Sequence, residues 1–363
     1  MTVNSEKLKY HVNLVQLKTS RPFFNFFYRK FLFRKRSVFF KLVSLFFLPI
    51  SFLYLFVITL KRCFSKKRKY KFFIISVGNI ITGGTGKTLL VSEIIKKVIS
   101  LNYKIAVVSS IFKKEKGESI PYDEVIMIKN NFPSIIISGD KTPSGLEKLE
   151  EMGIEIVVID DGFHCQWVEK DVDILMFDSS NPFDNKLLIP SGLLREPVSS
   201  IKRADVFIIS YPHLVGEKEK YTLLTFLQKQ EKPIFFLKIK PVYLSNGKEK
   251  VLLEEVKGKK ILCFAGIGNP FNFFLTISQL KPEKQYSVVF PDHFNYKEKD
   301  INEIMEFFKK ENIDFIVTTE KDYVKVQKFI KGNIPFYFLK IEGEIEDKNN
   351  FDKLLCNKIN IKI

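Results

Sequence analysis

Short apolar runs rich in branched residues alternate along the chain with longer amphipathic stretches. From about residue 70, "KFFIISVG", "YKIAVVSS", "PSIIIS", "IEIVVIDD", "DVDILMFD" and "ADVFIIS" are separated by helix-patterned segments such as "GKTLLVSEIIKKVIS" and "PSGLEKLEEMG". The runs are too continuously apolar for strands with one wet face and fit parallel strands covered on both sides. The alternation predicts an open α/β/α domain over residues 70–235. It puts the 78–88 turn, Asp160 and Asp161 at the carboxyl ends of strands, the edge where ligands gather in such sheets. Further on, "KPIFFLKIKPVYLSNGKEKVLL" reads as two extended pieces joined at Asn246-Gly247, a hairpin signal. Residues 236–250 are expected as an extended interdomain linker. The alternation resumes in "KKILCFAGIGNPFNFFLTISQL", "EKQYSVVFPDH", "DINEIMEFFKKEN" and "IDFIVTTEKD", predicting a second, smaller α/β domain over 251–363. The Asn- and Lys-rich stretch after residue 345 reads as a solvated tail or a last short element.

One apolar run breaks this rhythm. "LVSLFFLPISFLYLFVITL" lies between Lys41 and Lys61 without a charge over 19 residues. As a helix it would extend about 28 Å against a hydrocarbon core of roughly 30 Å. Length therefore permits one transmembrane helix, with Pro49 as a kink point, but cations on both flanks leave its orientation undecided. A hairpin or an embedded monotopic anchor would keep both flanks on one side. The earlier "RPFFNFFYRKFLF" mixes aromatics with cations, as headgroup-level burial requires. Residues 1–69 are thus expected as a basic, hydrophobic membrane anchor.

Charge sharpens that expectation. The chain of 363 residues has a formal net charge of +17, but residues 1–75 hold 17 Lys and Arg and one acid, Glu6, and the rest is nearly balanced. The basicity belongs to the N-terminal segment, which argues for an anionic membrane surface and against a nucleic-acid partner. No protein partner is identifiable. Four scattered cysteines without a C-x-x-C pair and four histidines indicate a reducing compartment and no zinc site.

"SVGNIITGGTGKT" carries the chemistry. Gly83, Gly84, Thr85 and Gly86 let backbone amides approach an anion closely, and the following helix offers its unpaired N–H groups to phosphate. Lys87 would reach the β and γ phosphates, and Thr88 would supply a hydroxyl to Mg2+. The usual first glycine of such a loop is replaced by Ile81. "IEIVVIDD" brings Asp160 and Asp161 to the same sheet edge, where either one suits a hard cation. Together these features predict a P-loop NTPase-like domain that binds ATP with Mg2+.

In their order and spacing, "SVGNIITGGTGKT", "YDEV", "VVIDDGFHC", "KDVDILMFD", "LLIPSGLLREP", "KRADVFIIS", "FAGIGNPFNFF", "FPDHFNY" and "VTTEKDYVK" make the sequence resemble the tetraacyldisaccharide 4'-kinase family. The resemblance covers residues 70–325. It implies transfer of the ATP γ-phosphate to the 4'-hydroxyl of an acylated glucosamine disaccharide 1-phosphate, forming lipid IVA at the cytoplasmic face of the bacterial inner membrane. It also implies that Asp123 is the catalytic carboxylate, assisted by His293 across an interdomain cleft. A carboxylate that accepts the sugar hydroxyl's proton suits this chemistry. Arg195 in "GLLREP" suits a phosphate or acidic neighbour, whereas Lys321 and Asp322 could form a local ion pair. Asn269 and Phe273 are weak substrate contacts.

The sequence departs from the family pattern at Ile81, at Ser110 and Phe112, at Tyr122 and Val125 around Asp123, and at His164 and Cys165, where Gln-His is usual. Alternative readings are a membrane-associated P-loop ATPase and an inactive membrane scaffold. The former might carry an extra loop lysine where Thr82 stands, and the latter leaves the ordered polar motifs unexplained.

Overall fold

The computed structural model describes residues 13–14, 44–109, 112–115, 118–121, 123–179, 181–212 and 217–362. The chain forms two compact units, one of residues 35–239 and 343–363, the other of residues 1–34 and 240–342.

Seven parallel strands span the first unit: β1 (Phe73–Gly78), β2 (Ile105–Val108), β3 (Ile136–Ser138), β4 (Ile156–Asp160), β5 (Val172–Asp178), β6 (Val206–Pro212) and the start of β7 (Ile234–Ser245). Their order is β7-β6-β5-β1-β4-β2-β3. Every neighbouring pair is parallel. All residues of β1, β4 and β5 are buried, the outcome expected for strands covered on both faces. One face packs under α2 (Lys87–Ser100) through Leu90, Val91, Ile94 and Val98. The other is covered partly by α4 (Pro143–Glu151), through Leu146 and Leu149.

The stretch expected as a solvated tail or a last short element is a helix of 15 residues, numbered α9 (Lys348–Lys362), and it belongs to the first unit. Phe351, Leu355 and Ile359 recur every fourth residue and enter the same cluster as Leu90 and Phe235. Each such burial stabilises by about 1.5–3 kcal/mol. Ion pairs from Lys97 to Asp352 (3.3 Å) and Lys348 to Glu93 (3.1 Å) flank this stripe. Residues 240–342 of the second unit are therefore interposed in the sequence of the first.

The second unit has its own parallel strands, β8 (Lys260–Ala265), β9 (Lys284–Val289), β10 (Phe315–Thr319) and most of β11 (Phe336–Ile345), in the order β9-β8-β10-β11. Helices α6 (Pro270–Gln279), α7 (Glu298–Lys310) and α8 (Glu320–Val326) accompany them. The Asn246-Gly247 turn forms as expected: Gly247 has φ +86°, and Leu244 and Ser245 pair antiparallel with Val251 and Lys250. The segment expected as a linker is one strand of 12 residues, β7, within which the chain passes from one unit to the other.

Helix α1 (Leu48–Cys63) has 16 residues and measures about 24 Å. Among the described residues no helix is long and apolar enough to cross a membrane. Pro49 does not kink it, because it sits in the first turn, where a missing N–H leaves no hydrogen bond unmade. The helix is inverted in character. Its inner side presents Ser51, Tyr54 and Arg62, while Leu45 and Phe46 just before it and Phe52, Leu53, Phe56 and Val57 along it are exposed. "RPFFNFFYRKFLF" lies outside the described residues.

Candidate functional site

The phosphate loop connects β1 to α2 as the sequence predicts. Gly86, the residue before the helix, has φ +82°, a conformation that a Cβ would strain, and no side chain caps the helix. Open space surrounds Gly83 and Gly84, with no atom within 4 Å of where a Cβ would lie. The first-turn amides of α2 and this open glycine turn present the kind of backbone donors that bind phosphate. Lys87 opens the helix, its Nζ 3.2 Å from Asn79 Oδ1 and 3.7 Å from Asp161 Oδ1.

Ile81, the departure from the glycine pattern, is buried among Leu188, Leu194 and Phe183 and bridges antiparallel to Leu194. Thr82 N–H donates to Leu193 O at 2.8 Å. The beginning of the loop is thus pinned to residues 188–195, and its glycine end stays open.

Asp160 ends β4 next to β1, its backbone in register with Val77. It is buried, accepts from Ser109 Oγ at 3.2 Å, and its carbonyl accepts from Lys141 Nζ at 2.6 Å. Asp161 follows with φ +53°. Arg195 Nη1 contacts both of its oxygens, at 3.0 and 2.9 Å. Burial alone would raise the Asp161 pKa, but the charges of Lys87 and Arg195 outweigh it and hold the carboxyl at about 2. Thr88, Asp160 and Asp161 offer only oxygen donors, which suit a hard cation such as Mg2+ rather than a soft metal.

Behind these residues lies a cluster that the sequence only half announced. Glu196, one position past the recognised Arg195, is buried and takes contacts from His164 Nδ1 (2.7 Å), Arg203 Nη1 (2.7 Å) and Arg62 Nη2 (2.9 Å). His164 thus packs against Glu196 with its Nδ1–H donating, since a carboxylate only accepts. Asn79, inside the quoted "SVGN" motif, was equally visible in the sequence, but its contact with Lys87 was not.

Asp123 is the first residue of α3 (Asp123–Asn131), which follows a small antiparallel hairpin of Phe112–Glu115 and Glu118–Pro121. The Asp123 and Glu124 side chains, with Ser110 and Tyr122, lie outside the described residues. His293 belongs to the second unit. It has φ +54°, its N–H donates to Gly266 O at 3.1 Å, and its Nε2 is 3.9 Å from Asp292 Oδ1. A Cβ on Gly266 would come within 2.8 Å of the Tyr296 hydroxyl and 3.2 Å of Asp322 Oδ1, so only glycine fits there. Asp322, fully buried, accepts from Gly266 N–H (2.9 Å) and the Thr319 hydroxyl (2.7 Å), and its cationic neighbour is Lys325 at 3.8 Å. Asp322 faces inward as a brace for the Gly266 turn. Asn269 precedes α6 without a side-chain capping bond, and Phe273 is buried in that unit's core.

A family model described as tetraacyldisaccharide-1-P 4'-kinase matches residues 43–360. A tetraacyldisaccharide 4'-kinase from Halothermothrix orenii is 32% identical over 306 residues, covering 74% of this chain and 79% of that relative. One from Syntrophus aciditrophicus is 30% identical over 310 residues, covering 78% and 83%. Among solved structures, the "apo" form of LpxK from Aquifex aeolicus in complex with ATP shares the mixed α/β fold, with TM-score 0.64 and 24% identity over 87% of this chain and 99% of that one. Matched over nearly its whole length, and carrying the phosphate loop and the paired aspartates in the family's order, the chain belongs to the tetraacyldisaccharide-1-P 4'-kinase family.

Proposed function

We propose that the protein transfers the γ-phosphate of ATP to the 4'-hydroxyl of a tetraacylated glucosamine disaccharide 1-phosphate, giving lipid IVA at the cytoplasmic face of a bacterial inner membrane. The family match over residues 43–360 carries this reading, and the open glycine turn beside Lys87 supports it.

In this scheme the α2 amides, Lys87 and the glycines 83, 84 and 86 bind the β and γ phosphates and hold the γ-phosphorus in line with the acceptor. Thr88 and Asp160 would hold Mg2+, which offsets phosphate charge when bound. Arg195 occupies both oxygens of Asp161, so Asp161 serves better as an orienting partner of Lys87 than as the direct ligand. Asp123 accepts the 4'-hydroxyl proton as that oxygen bonds to phosphorus, while the bond to the bridging β,γ oxygen breaks and ADP departs. His293 supports the basicity of Asp123. The outward apolar face of α1 and the cations around it hold the enzyme on an anionic membrane surface, where the acylated acceptor resides.

Purified protein in detergent, given γ-labelled ATP and Mg2+, is expected to label the tetraacyldisaccharide 1-phosphate. Asp123→Ala and His293→Ala should depress transfer by about 100-fold or more, the usual worth of acid–base groups, with ATP binding retained. A folded preparation that binds or hydrolyses ATP yet never labels the lipid would overturn the proposal.

A further inference from the structure

Helix α1 is held to the first unit in a way that a membrane tether alone does not require. Its inner side is fixed chiefly by polar contacts with one loop, residues 188–200. Ser51 Oγ donates to Leu188 O (3.0 Å) and lies 2.8 Å from Ser191 Oγ. The Tyr54 hydroxyl donates to Arg195 O at 2.9 Å. Arg62 Nη2 reaches Glu196 Oε2 (2.9 Å) and Ser200 Oγ (3.0 Å).

The far side of the same loop touches the phosphate site. Arg195 N–H donates to Ile80 O at 2.8 Å, Leu194 bridges to Ile81, and the Arg195 guanidinium clamps Asp161, whose carboxylate faces Lys87. Glu196 fixes His164, three residues beyond Asp161. Tyr54 and Leu55 also pack on the cluster that contains Ile81, Leu188 and Leu194. From the helix to the lysine there is no gap: α1, then residues 188–200, then Ile80–Ile81 and Asp161.

We propose that α1 is an integral wall of the nucleotide site and that Tyr54 and Arg62 are positioning residues for Arg195, Asp161 and Lys87. ATP affinity then depends on docking of the helix whether or not a bilayer is present. The buried Ile81 has its place in the same scheme: where other loops use a flexible glycine, this one carries an apolar peg that locks into the α1-supported loop. The inference rests on the reading that Lys87 and Asp161 serve the nucleotide.

The test is calorimetric titration of Mg-ATP into full-length protein in detergent. Tyr54→Phe removes one hydroxyl and keeps the ring, and Arg62→Leu removes the charge and keeps much of the stem. Tyr54→Phe should raise the ATP Kd about three- to tenfold, the range of one lost neutral hydrogen bond, and Arg62→Leu about tenfold or more, that of a lost charged one. Arg62→Lys should recover part of the loss, and vesicle binding should be unchanged in Tyr54→Phe and Arg62→Lys, which keep the charge. The double variant Leu53→Ser/Phe56→Ser, on the outward face, should weaken vesicle binding and leave the ATP Kd as it was. An ATP Kd within about twofold of the parent in both Tyr54→Phe and Arg62→Leu, with vesicle binding lost instead, would overturn the inference. Lys87→Ala and Asp161→Asn separate the two ideas. If they weaken ATP binding while the helix variants do not, only the wall fails; if they too leave Kd unchanged, the site reading fails with it.

Discussion

Glu196 is almost inaccessible to water, yet it keeps its charge because His164, Arg203 and Arg62 converge on its two oxygens. Burial by itself would raise its pKa; the hydrogen bonds from His164 and Arg203 outweigh burial and hold it well below the ordinary 4.5. A carboxyl depressed in the folded state contributes stability that is fully present above its unfolded pKa and is lost as pH falls toward the folded one. Thermal unfolding followed between about pH 6 and 3 should therefore show a steep acid limb that Glu196→Gln flattens. An unchanged slope would mean that the three partners do not hold the charge. Residue chemistry was unevenly legible. Lys87 and Thr88 announce themselves because the phosphate-loop pattern fixes their spacing along one strand-loop-helix unit, and Asp160 and Asp161 because they close a charge-free apolar run. Glu196 and Arg62 are 134 residues apart, and no local pattern marks a contact of that range. The burial of Asp322 was not legible either: it follows from the helix cap at Thr319, which turns the carboxylate inward.

At the level of elements, the parallel strands were readable because each is a short, branched, charge-free run, a pattern that survives any tertiary context. Helix α9 was not. Its three buried side chains stand among lysines and asparagines, so composition suggested solvent although the spacing of four already described one helix face. Leu355→Ala removes the central member of that stripe and should cost about 2–5 kcal/mol in urea unfolding. A loss under about 1 kcal/mol would show that α9 adheres only loosely. For α1 the apolar run was legible, but not which side of it would face the protein. Inward polar groups and outward phenylalanines reverse the usual amphipathic order, and Phe46 and Phe64, flanking the helix, are left 75% and 81% exposed. Only the partners at residues 188–200 explain that reversal.

Along the chain, charge and apolar residues are concentrated together: the basic segment up to residue 75 contains α1, whose outward face is apolar. Electrostatic attraction to a charged bilayer is screened by salt, whereas insertion of phenylalanines is not. Vesicles containing phosphatidylglycerol should bind the protein at low ionic strength and lose it several-fold between about 0.05 and 0.5 M NaCl. Purely zwitterionic vesicles should bind weakly and with little salt dependence. Equal recovery on both vesicle types would show that the cations have another role. The two-unit architecture itself was legible from the alternation of runs; the return of the chain to the first unit after residue 342 was not, since nothing local to α9 names its destination.

That return has a consequence for how the protein is made. Residues of the first unit emerge from the ribosome before and after the whole of 240–342, so its sheet waits, with the cluster around Leu90 and Phe235 uncovered, until Phe351 to Ile359 have been synthesised. A nascent chain that stalls between the two would display a nearly complete nucleotide cradle over an open hydrophobic face, a state that chaperones and proteases recognise.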